Sequence, residues 1–184
     1  VLDFGVKKNI LRNFTGRDCY VKVFPAKTSF TELEKFNPNG YFISNGPGDP
    51  AATTAQVELL QGALAEQIPY FGICFGNQIL GRALGLGTYK LGYGHRGINQ
   101  PVLDRATGRV EVTAHNHGFA VDAPLDRDTE TPFGTASVSH VCLNDDVVEG
   151  GRLNIDRNGV RAGADRVEIG GQGIKDVNLN GTFG

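Results

Sequence analysis

The hydrophobic and polar positions follow two different rhythms in the first half of the chain. Four short apolar runs have the length and composition of buried strands: 1–4, 19–24, 41–43 and 69–73. Between these runs, apolar residues recur every three to four positions, which predicts four helices: one after Gly5, a short one over 30–36, and two longer ones over 51–65 and 77–84. Strands that alternate with helices predict an α/β fold, in which an open, mostly parallel twisted sheet is flanked by helices.

The pattern changes twice in the second half. After Gly85 turn residues become denser, and the apolar runs 101–103 and 110–112 predict shorter, partly antiparallel strands. The last 35 residues include nine glycines and one aromatic residue, which predicts weak β structure or a disordered tail. We therefore expect one domain over 1–150, followed by an atypical Gly-rich segment over 151–184.

Length and charge narrow the class of protein. A chain of 184 residues suits one α/β domain. The net charge of −2 offers no basic surface for nucleic acid, and no apolar run approaches the roughly 18 residues that cross a membrane. The chain starts at Val1 and contains no methionine, so we interpret it as an excised domain or processed piece of a longer protein.

The cysteines favour a reducing compartment. There are three, they lie far apart and none belongs to a CxxC pair, which argues against a disulfide framework or a zinc–cysteine site. We expect a cytoplasmic protein, and the matrix of a mitochondrion or plastid fits the same chemistry. Cys19 and Cys142 are interpreted as buried apolar thiols, the usual state of a free cysteine.

Cys74 stands apart from the other two cysteines. The run Gly72-Ile73-Cys74-Phe75-Gly76 joins a predicted strand to a predicted helix and has the form G-x-nucleophile-x-G. Such a sharp turn needs glycines beside a strained nucleophile. We expect the helix N-terminus to lower the pKa of the Cys74 thiol, and the N–H of Phe75 to serve as one oxyanion donor. A chance match in a Gly-rich chain is the alternative.

A second glycine-rich turn follows the neighbouring predicted strand. Gly46-Pro47-Gly48 is separated from the run 41–43 by two residues, 44 and 45. At the carboxyl end of a parallel strand, small residues leave backbone N–H and C=O groups open to the polar head of a ligand. A plain tight turn is the alternative for this loop taken alone.

The third motif is His115-Asn116-His117-Gly118-Phe119. Asn116 could hold an amide or carboxylate, and Gly118 would allow a close approach of the backbone. His115 and His117 would share one face of a strand and could bind a metal, but no third ligand is apparent in the sequence, so we expect no metal here. His95 is interpreted as a surface-loop histidine.

These motifs together resemble a known family. The chain is similar to the class I, or triad, glutamine amidotransferase domain, and within that class to the small, glutamine-hydrolysing subunit of carbamoyl-phosphate synthase. Four stretches carry the resemblance: 2–12, 44–50, 71–80 and 116–121. The first and last favour carbamoyl-phosphate synthase over the anthranilate and GMP synthase relatives, whereas the elbow and the Gly-Pro-Gly loop are shared across the class.

The resemblance implies roles for these residues. Cys74 would attack the carboxamide of glutamine and form a γ-glutamyl thioester, which releases ammonia. The glutamine site would be lined by Gly46, Gly48, Phe75, Gln78, Asn116, Gly118 and Phe119. Phe75 stands where many relatives carry Leu, although the donor there would be the backbone N–H.

The resemblance also implies a partner. Ammonia would travel through a tunnel to a large synthetase subunit that uses bicarbonate and ATP. No cofactor is expected in this domain, whereas ATP and Mg²⁺ are expected on the synthetase partner. The small subunit of this family also has an N-terminal domain that precedes the matching region, in line with the start at Val1.

One expected motif is missing. In this family the base is a histidine followed two residues later by a glutamate, and we expect it after Gly150, yet no histidine follows His140. Three explanations stay open: the tail differs from the natural sequence of the domain, the domain binds a partner without catalysis, or another residue is the base. The alternatives in function are therefore a catalytically dead interaction domain and another class I amidotransferase, such as an anthranilate synthase component.

Overall fold

The structure is a computed structural model that describes residues 1–154, together with the backbone of 167–168 and 173–174. The predicted boundary at 150 falls inside a strand, Val148–Asn154, whereas most of the predicted weak or disordered tail lies outside the described residues and stays a prediction. The described chain forms two sheets, one of four strands and one of seven.

The first sheet is parallel, as the sequence predicts. Its strands lie in the order β2-β1-β3-β4 and are β1 (Leu2–Asp3), β2 (Phe24–Pro25), β3 (Tyr41–Ile43) and β4 (Tyr70–Gly72). The predicted strand over 19–24 is wrong except at its last residue, because its apolar side chains are not buried: Tyr20 is 86% exposed. Pro25 lacks an N–H donor, which suits an edge strand.

Helices cover both faces of this sheet, which confirms the predicted layers. They are α1 (Lys8–Thr15), α2 (Phe30–Glu34), α3 (Thr54–Ala65) and α4 (Phe75–Ala83). Ile10 of α1 packs with Phe42 and Ile73 on one face. The other three helices pack on the opposite face, and the side-chain oxygen of Ser29 accepts a hydrogen bond from the N–H of Glu32 at 3.3 Å to cap α2.

Two predicted helices differ in their bounds. The stretch 51–65 divides into a 3₁₀ turn, Pro50–Ala52, and α3, because Thr53 has φ −111° and ψ 54° and interrupts the helical backbone. α4 begins at Phe75, two residues before the predicted start, so that Cys74 itself becomes the residue preceding the helix.

The second sheet is antiparallel. It contains β5 (Gly87–Asp104), β6 (Arg109–Asp122), β7 (Thr129–Thr131), β8 (Gly134–Cys142), β9 (Val148–Asn154), β10 (Val167–Glu168) and β11 (Gly173–Ile174). The main order is β10-β9-β6-β5-β8-β7; β11 also pairs with β6, and β8 with β9. The prediction of antiparallel pairing is confirmed, but the predicted short strands are wrong, because β5 and β6 form a hairpin of 18 and 14 residues.

Helix α4 connects the two sheets. A side chain at Gly81 would place its Cβ 2.8 Å from Val121 Cγ1 of β6, so the helix and the strand approach closely. One turn earlier, Gln78 Nε2 donates a hydrogen bond to the carbonyl of Phe119 at 2.8 Å. These contacts hold β6 against the middle and the last turn of α4. No helix within the described residues has both the length and the apolar character needed to cross a membrane.

Gly76 tests the packing of α4 on the parallel sheet. A Cβ at Gly76 would overlap the backbone carbonyl of Ile43, which belongs to β3 and cannot move aside like a side chain. We expect Gly76→Ala to lower the free energy of unfolding by about 1–3 kcal/mol in urea denaturation. The matched control is Gly92→Ala, whose Cβ would meet no heavy atom within 4 Å, with an expected change within about 0.5 kcal/mol. Equal stability of Gly76→Ala and the parent chain would contradict this packing.

Candidate active site

Cys74 lies in a strained turn between β4 and α4. Its φ of 55° and ψ of −104° place a non-glycine residue in a region that L-amino acids rarely adopt. The turn is tight because Gly72 and Gly76 touch: a Cβ at Gly72 would lie 2.5 Å from the carbonyl carbon of Gly76. The predicted elbow, a strand-to-helix turn with small neighbours around a nucleophile, is therefore confirmed in geometry.

The loops after β1 and β3 meet beside this turn. Ser44 Oγ accepts a hydrogen bond from the N–H of Phe4 at 2.9 Å, and Asn45 Nδ2 donates to the carbonyl of Gly5 at 2.9 Å. A Cβ at Gly46 would overlap Phe4, so a larger residue does not fit there. β1 and β3 are parallel neighbours in the sheet, with β2 added on the outer side of β1 and β4 on the outer side of β3. In open parallel sheets, ligands bind at the carboxyl ends of strands at such a switch in strand order.

Two backbone N–H groups reach the sulfur of Cys74. They belong to Phe75, the first residue of α4, and to Gly46, in the loop after β3. The thiol also lies 3.9 Å from the carbonyl oxygen of Asn116 on β6. N–H groups from two separate elements thus lie beside the sulfur, where they could also donate to the oxygen of a group bound to it.

Burial raises the pKa of the Cys74 thiol, and the negative charge of Glu149 raises it further. The N–H groups of Phe75 and Gly46 and the positive charge of Lys7 act in the opposite direction but do not outweigh burial. We expected the helix N-terminus to lower the pKa of Cys74. That expectation is wrong, because desolvation of the thiolate has the larger effect and the pKa is raised overall.

The other predicted glutamine-site residues lie around Cys74 in two groups. Gly48 packs on the ring of Phe75, from which its Cβ would be 3.8 Å, and this buried ring packs on Phe4 with a centroid distance of 5.0 Å. On β6, Asn116 is exposed, and a Cβ at Gly118 would meet nothing within 4 Å.

Gln78 and Phe119 join these two groups. Both were predicted from the resemblance to line the glutamine site, and the described contact between them is the hydrogen bond from the Gln78 amide to the Phe119 carbonyl. Their direct contact with glutamine stays a prediction.

The histidines of the third motif face away from this site. Along β6 side chains alternate, so that His115 and His117 are buried while Asn116 between them is exposed. His95 of β5 joins them, and the interpretation of His95 as a surface-loop residue is wrong, because it is 8% exposed and pairs with His117 across the hairpin. The burial of His95 could not be predicted from the sequence, because the pairing of β5 with β6 is irregular between Lys90 and His95.

Glu149 completes a buried group with these three histidines. One ligand atom from each of the four side chains lies within 4.8 Å of the others. The statement that no third metal ligand is apparent beside His115 and His117 is therefore wrong, because the hairpin and β9 bring two more. Burial lowers the pKa of His115. Burial also acts to lower the pKa of His95. The hydrogen bonds of His95 to the carboxylates of Asp145 and Glu149 outweigh burial, so the pKa of His95 is raised.

The remaining cysteines differ from each other. Cys142 is completely buried, as predicted, and burial raises its pKa to about 11. Cys19 is only half-buried, with its thiol 3.7 Å from the carbonyl of Arg17, so its prediction as a buried thiol is wrong. Within residues 1–154 the hydrogen-bond partners of the Cys74 thiol are all backbone groups, and no histidine is among them.

A strained cysteine elbow on a parallel sheet, with a glycine loop that supplies a second N–H, defines a class of enzyme fold. Residues 1–157 match the family described as "Glutamine amidotransferase class-I", and the chain belongs to this family. Its fold is similar to that of a putative GMP synthase component from Thermoplasma acidophilum, with a TM-score of 0.66 and 15% identity over 94% of this chain and 80% of that one.

More similar in sequence are several carbamoyl phosphate synthase small chains. The chain is 60% identical to that of Streptomyces avermitilis over 152 residues, which are 83% of this chain and 40% of that protein. It is 58% identical to that of Mycobacterium tuberculosis over 152 residues, with the same coverage of 83% and 40%. The chain therefore spans about 40% of the length of these relatives.

Two charges of opposite sign test the environment of Cys74. Removal of the Glu149 carboxylate in Glu149→Gln should lower the pKa of Cys74, and removal of the Lys7 ammonium in Lys7→Gln should raise it, because each change deletes one Coulombic influence on the thiolate. The measurement is the rate of Cys74 alkylation by iodoacetamide against pH, read by peptide mass spectrometry. Shifts in the same direction, or no shift in either variant, would show that these charges do not act on the thiol.

Proposed function

We propose that this chain is the glutamine-hydrolysing domain of a carbamoyl-phosphate synthase small chain. The identity of 60% to such a small chain supports the assignment within the family. The observation that carries the chemistry is the Cys74 sulfur, held by a strained elbow and approached by the N–H groups of Phe75 and Gly46.

The reaction follows from this geometry. The sulfur of Cys74 attacks the carboxamide carbon of glutamine, and the carbonyl oxygen becomes an oxyanion that accepts hydrogen bonds from Phe75 and Gly46. The C–N bond then breaks, and the nitrogen leaves as ammonia with the proton that the thiol gave up. Water attacks the γ-glutamyl thioester, which releases glutamate and restores the thiol.

The exposed side of the elbow provides the place for glutamine. Asn116 presents an amide that can hold the polar head of an amino acid, and Gly118 and Gly48 leave the backbone open on either side. Gln78 and Phe119, whose hydrogen bond fixes β6 beside α4, would line this side. Glutamine would therefore bind between the carboxyl ends of the parallel strands and the facing strand β6.

The ammonia is used by a second component. In the proposed complex it passes to a large synthetase subunit, which combines it with bicarbonate at the expense of ATP. ATP and Mg²⁺ bind to that large component, whereas this domain carries out its own step without a cofactor. A cytoplasmic location is proposed, with the matrix of a mitochondrion or plastid as the other compartments that suit this chemistry.

A second function is favoured by one specific observation. The thiol has only backbone partners within residues 1–154, and burial raises its pKa. Loss of one member of a catalytic unit costs on the order of 10³-fold or more in rate. A domain that binds the synthetase without hydrolysing glutamine is therefore the second candidate, and ammonia release that disappears in Cys74→Ser would exclude it.

A glutamine analogue that carries a diazoketone tests the nucleophile. We expect the analogue to alkylate Cys74 in the folded chain, because the elbow places this sulfur at the carboxamide position, and excess glutamine should slow the labelling. Peptide mass spectrometry locates the adduct. Cys74→Ser should take up no label and Cys19→Ser should be labelled like the parent chain. A folded parent chain without an adduct at Cys74 would refute the proposal.

Asn116 tests the binding side of the same site. In Asn116→Ala we expect the rate of labelling at low analogue concentration to fall roughly three- to tenfold, the size of one lost hydrogen bond, with a smaller difference at saturation. Asn144→Ala is the matched control, since Asn144 is also exposed and hydrogen bonds Gln100 in the second sheet. Equal labelling of the two variants at low concentration would remove Asn116 from the site.

A further inference from the structure

Three imidazoles and one carboxylate form a buried group in the second sheet, here named the histidine cluster: His95, His115, His117 and Glu149. Their exposed fractions are 8%, 4%, 4% and 1%. The cluster lies on the face of β6 opposite to Asn116, so it is separate from the glutamine side of the strand. Burial of so many titratable groups is costly unless each of them has a partner of suitable chemistry.

The outer nitrogen of His115 has a defined role. His115 Nε2 lies 2.7 Å from Thr113 Oγ1, and the same hydroxyl donates its proton to the carbonyl of Gln100 at 3.0 Å. Because that proton is already used, the hydroxyl accepts from His115, and Nε2 carries the N–H. In neutral His115 the lone pair is then on Nδ1, which faces the cluster.

The other two histidines show the same arrangement. His117 Nδ1 lies 3.0 Å from the carbonyl of Phe119, which can only accept, so the lone pair of neutral His117 is on Nε2. His95 Nε2 lies 2.7 Å from Asp145 Oδ2, a carboxylate that suits an N–H donor. All three rings are thus held from outside by an acceptor, the arrangement by which proteins orient metal-binding histidines.

The inner nitrogens all point at Glu149. His95 Nδ1 lies 2.8 Å and His115 Nδ1 3.4 Å from Glu149 Oε1, and His117 Nε2 lies 3.2 Å from Oε2. His115 Nδ1, His117 Nε2 and Glu149 Oε2 make no hydrogen bond within the described residues, although they are buried. His95 Nδ1 makes a hydrogen bond to Glu149 Oε1. The lone pairs of His115 Nδ1 and His117 Nε2, by contrast, face the carboxylate without a hydrogen bond, and a cation among the four side chains would relieve this repulsion.

We propose that the histidine cluster binds one divalent transition-metal ion, with Zn²⁺ as the best match, through His95 Nδ1, His115 Nδ1, His117 Nε2 and Glu149. Nitrogen and oxygen ligands at about 2.0–2.1 Å in a tetrahedron lie about 3.3 Å from one another. The distances of 3.2 Å from His117 Nε2 to Oε2 and 3.4 Å from His115 Nδ1 to Oε1 of Glu149 are near this spacing. The four ligand atoms lie within 4.8 Å of one another, and His95 would move outward by about 0.5 Å from its 2.8 Å contact.

The proposed site is structural rather than catalytic. Four protein ligands fill a tetrahedral zinc ion and leave no open position for a substrate. The ion joins the β5–β6 hairpin to β9, because His95 comes from β5, His115 and His117 from β6, and Glu149 from β9. The ion takes no part in the attack of Cys74 on glutamine, although the charge of Glu149, one of its ligands, also raises the pKa of the Cys74 thiol.

A neighbouring group could compete for the same metal. Cys142 and Asp145 also lie near His95, and they would use its opposite nitrogen. Asp145 is exposed, and in the histidine cluster it acts only by orienting His95. The two sites therefore predict different effects for Asp145 and Glu149 variants.

Metal binding is measured on the full chain in a Cys74→Ser background, which removes the half-buried thiol as a ligand. After equilibrium dialysis against Zn²⁺ with a competing chelator, we expect one metal per chain by elemental mass spectrometry. Co²⁺ should give the visible absorption of a tetrahedral site, and the melting temperature should be higher in Zn²⁺ than in EDTA.

Variants locate the site. His117→Gln and Glu149→Gln should lose the bound metal, Asp145→Asn should bind about 10- to 100-fold more weakly, and His140→Gln, the histidine outside the cluster, should bind like the parent. Circular dichroism shows whether each variant folds. Three results would each overturn the proposal. The parent chain could bind less than one metal, or folded His117→Gln could retain the metal. Asp145→Asn could also lose the metal while Glu149→Gln retains it. If the cluster variants do not fold, an unchanged melting temperature of the parent in Zn²⁺ overturns it.

Discussion

The close contact between Gly76 and the carbonyl of Ile43 is the constraint on which the site depends. It allows the first turn of α4 to lie directly on the end of β3, and Cys74 joins the two elements in a strained turn with φ 55° and ψ −104°. The same contact places the N–H of Phe75 beside the sulfur. Gly46, packed on Phe4, brings the second N–H from the neighbouring loop. Glycine contacts thus fix both donors before any ligand binds.

Strand β6 divides the second sheet into two chemical faces. Asn116 and Gly118 lie on the side of Cys74, whereas His115 and His117 point to the buried cluster. The hydrogen bond from Gln78 to Phe119 fixes the position of this strand relative to α4. The register of one strand therefore sets the glutamine side and the histidine cluster together, and a shift by one residue would exchange them.

Much of the parallel half could be predicted from the sequence, because its signals are local. The run from Gly72 to Gly76 carries the elbow in its spacing, and the apolar run 41–43 matches β3. The antiparallel half was predicted only in part. The irregular pairing of β5 hides the burial of His95, and the meeting of Glu149 with three histidines depends on contacts between residues about 30 to 54 positions apart. The pKa of Cys74 could not be predicted from its helix position, because it is set mainly by burial, a property of the whole fold.

The central claim is that the N–H groups of Gly46 and Phe75 receive the carbonyl oxygen of a glutamine-derived group bound to Cys74. A crystal structure of the chain modified by the diazoketone analogue tests it most directly. The account predicts an adduct on Cys74 whose carbonyl oxygen lies within about 3 Å of both backbone nitrogens, with its amino acid head beside Asn116. A carbonyl oxygen that points away from both nitrogens in the adduct would contradict it.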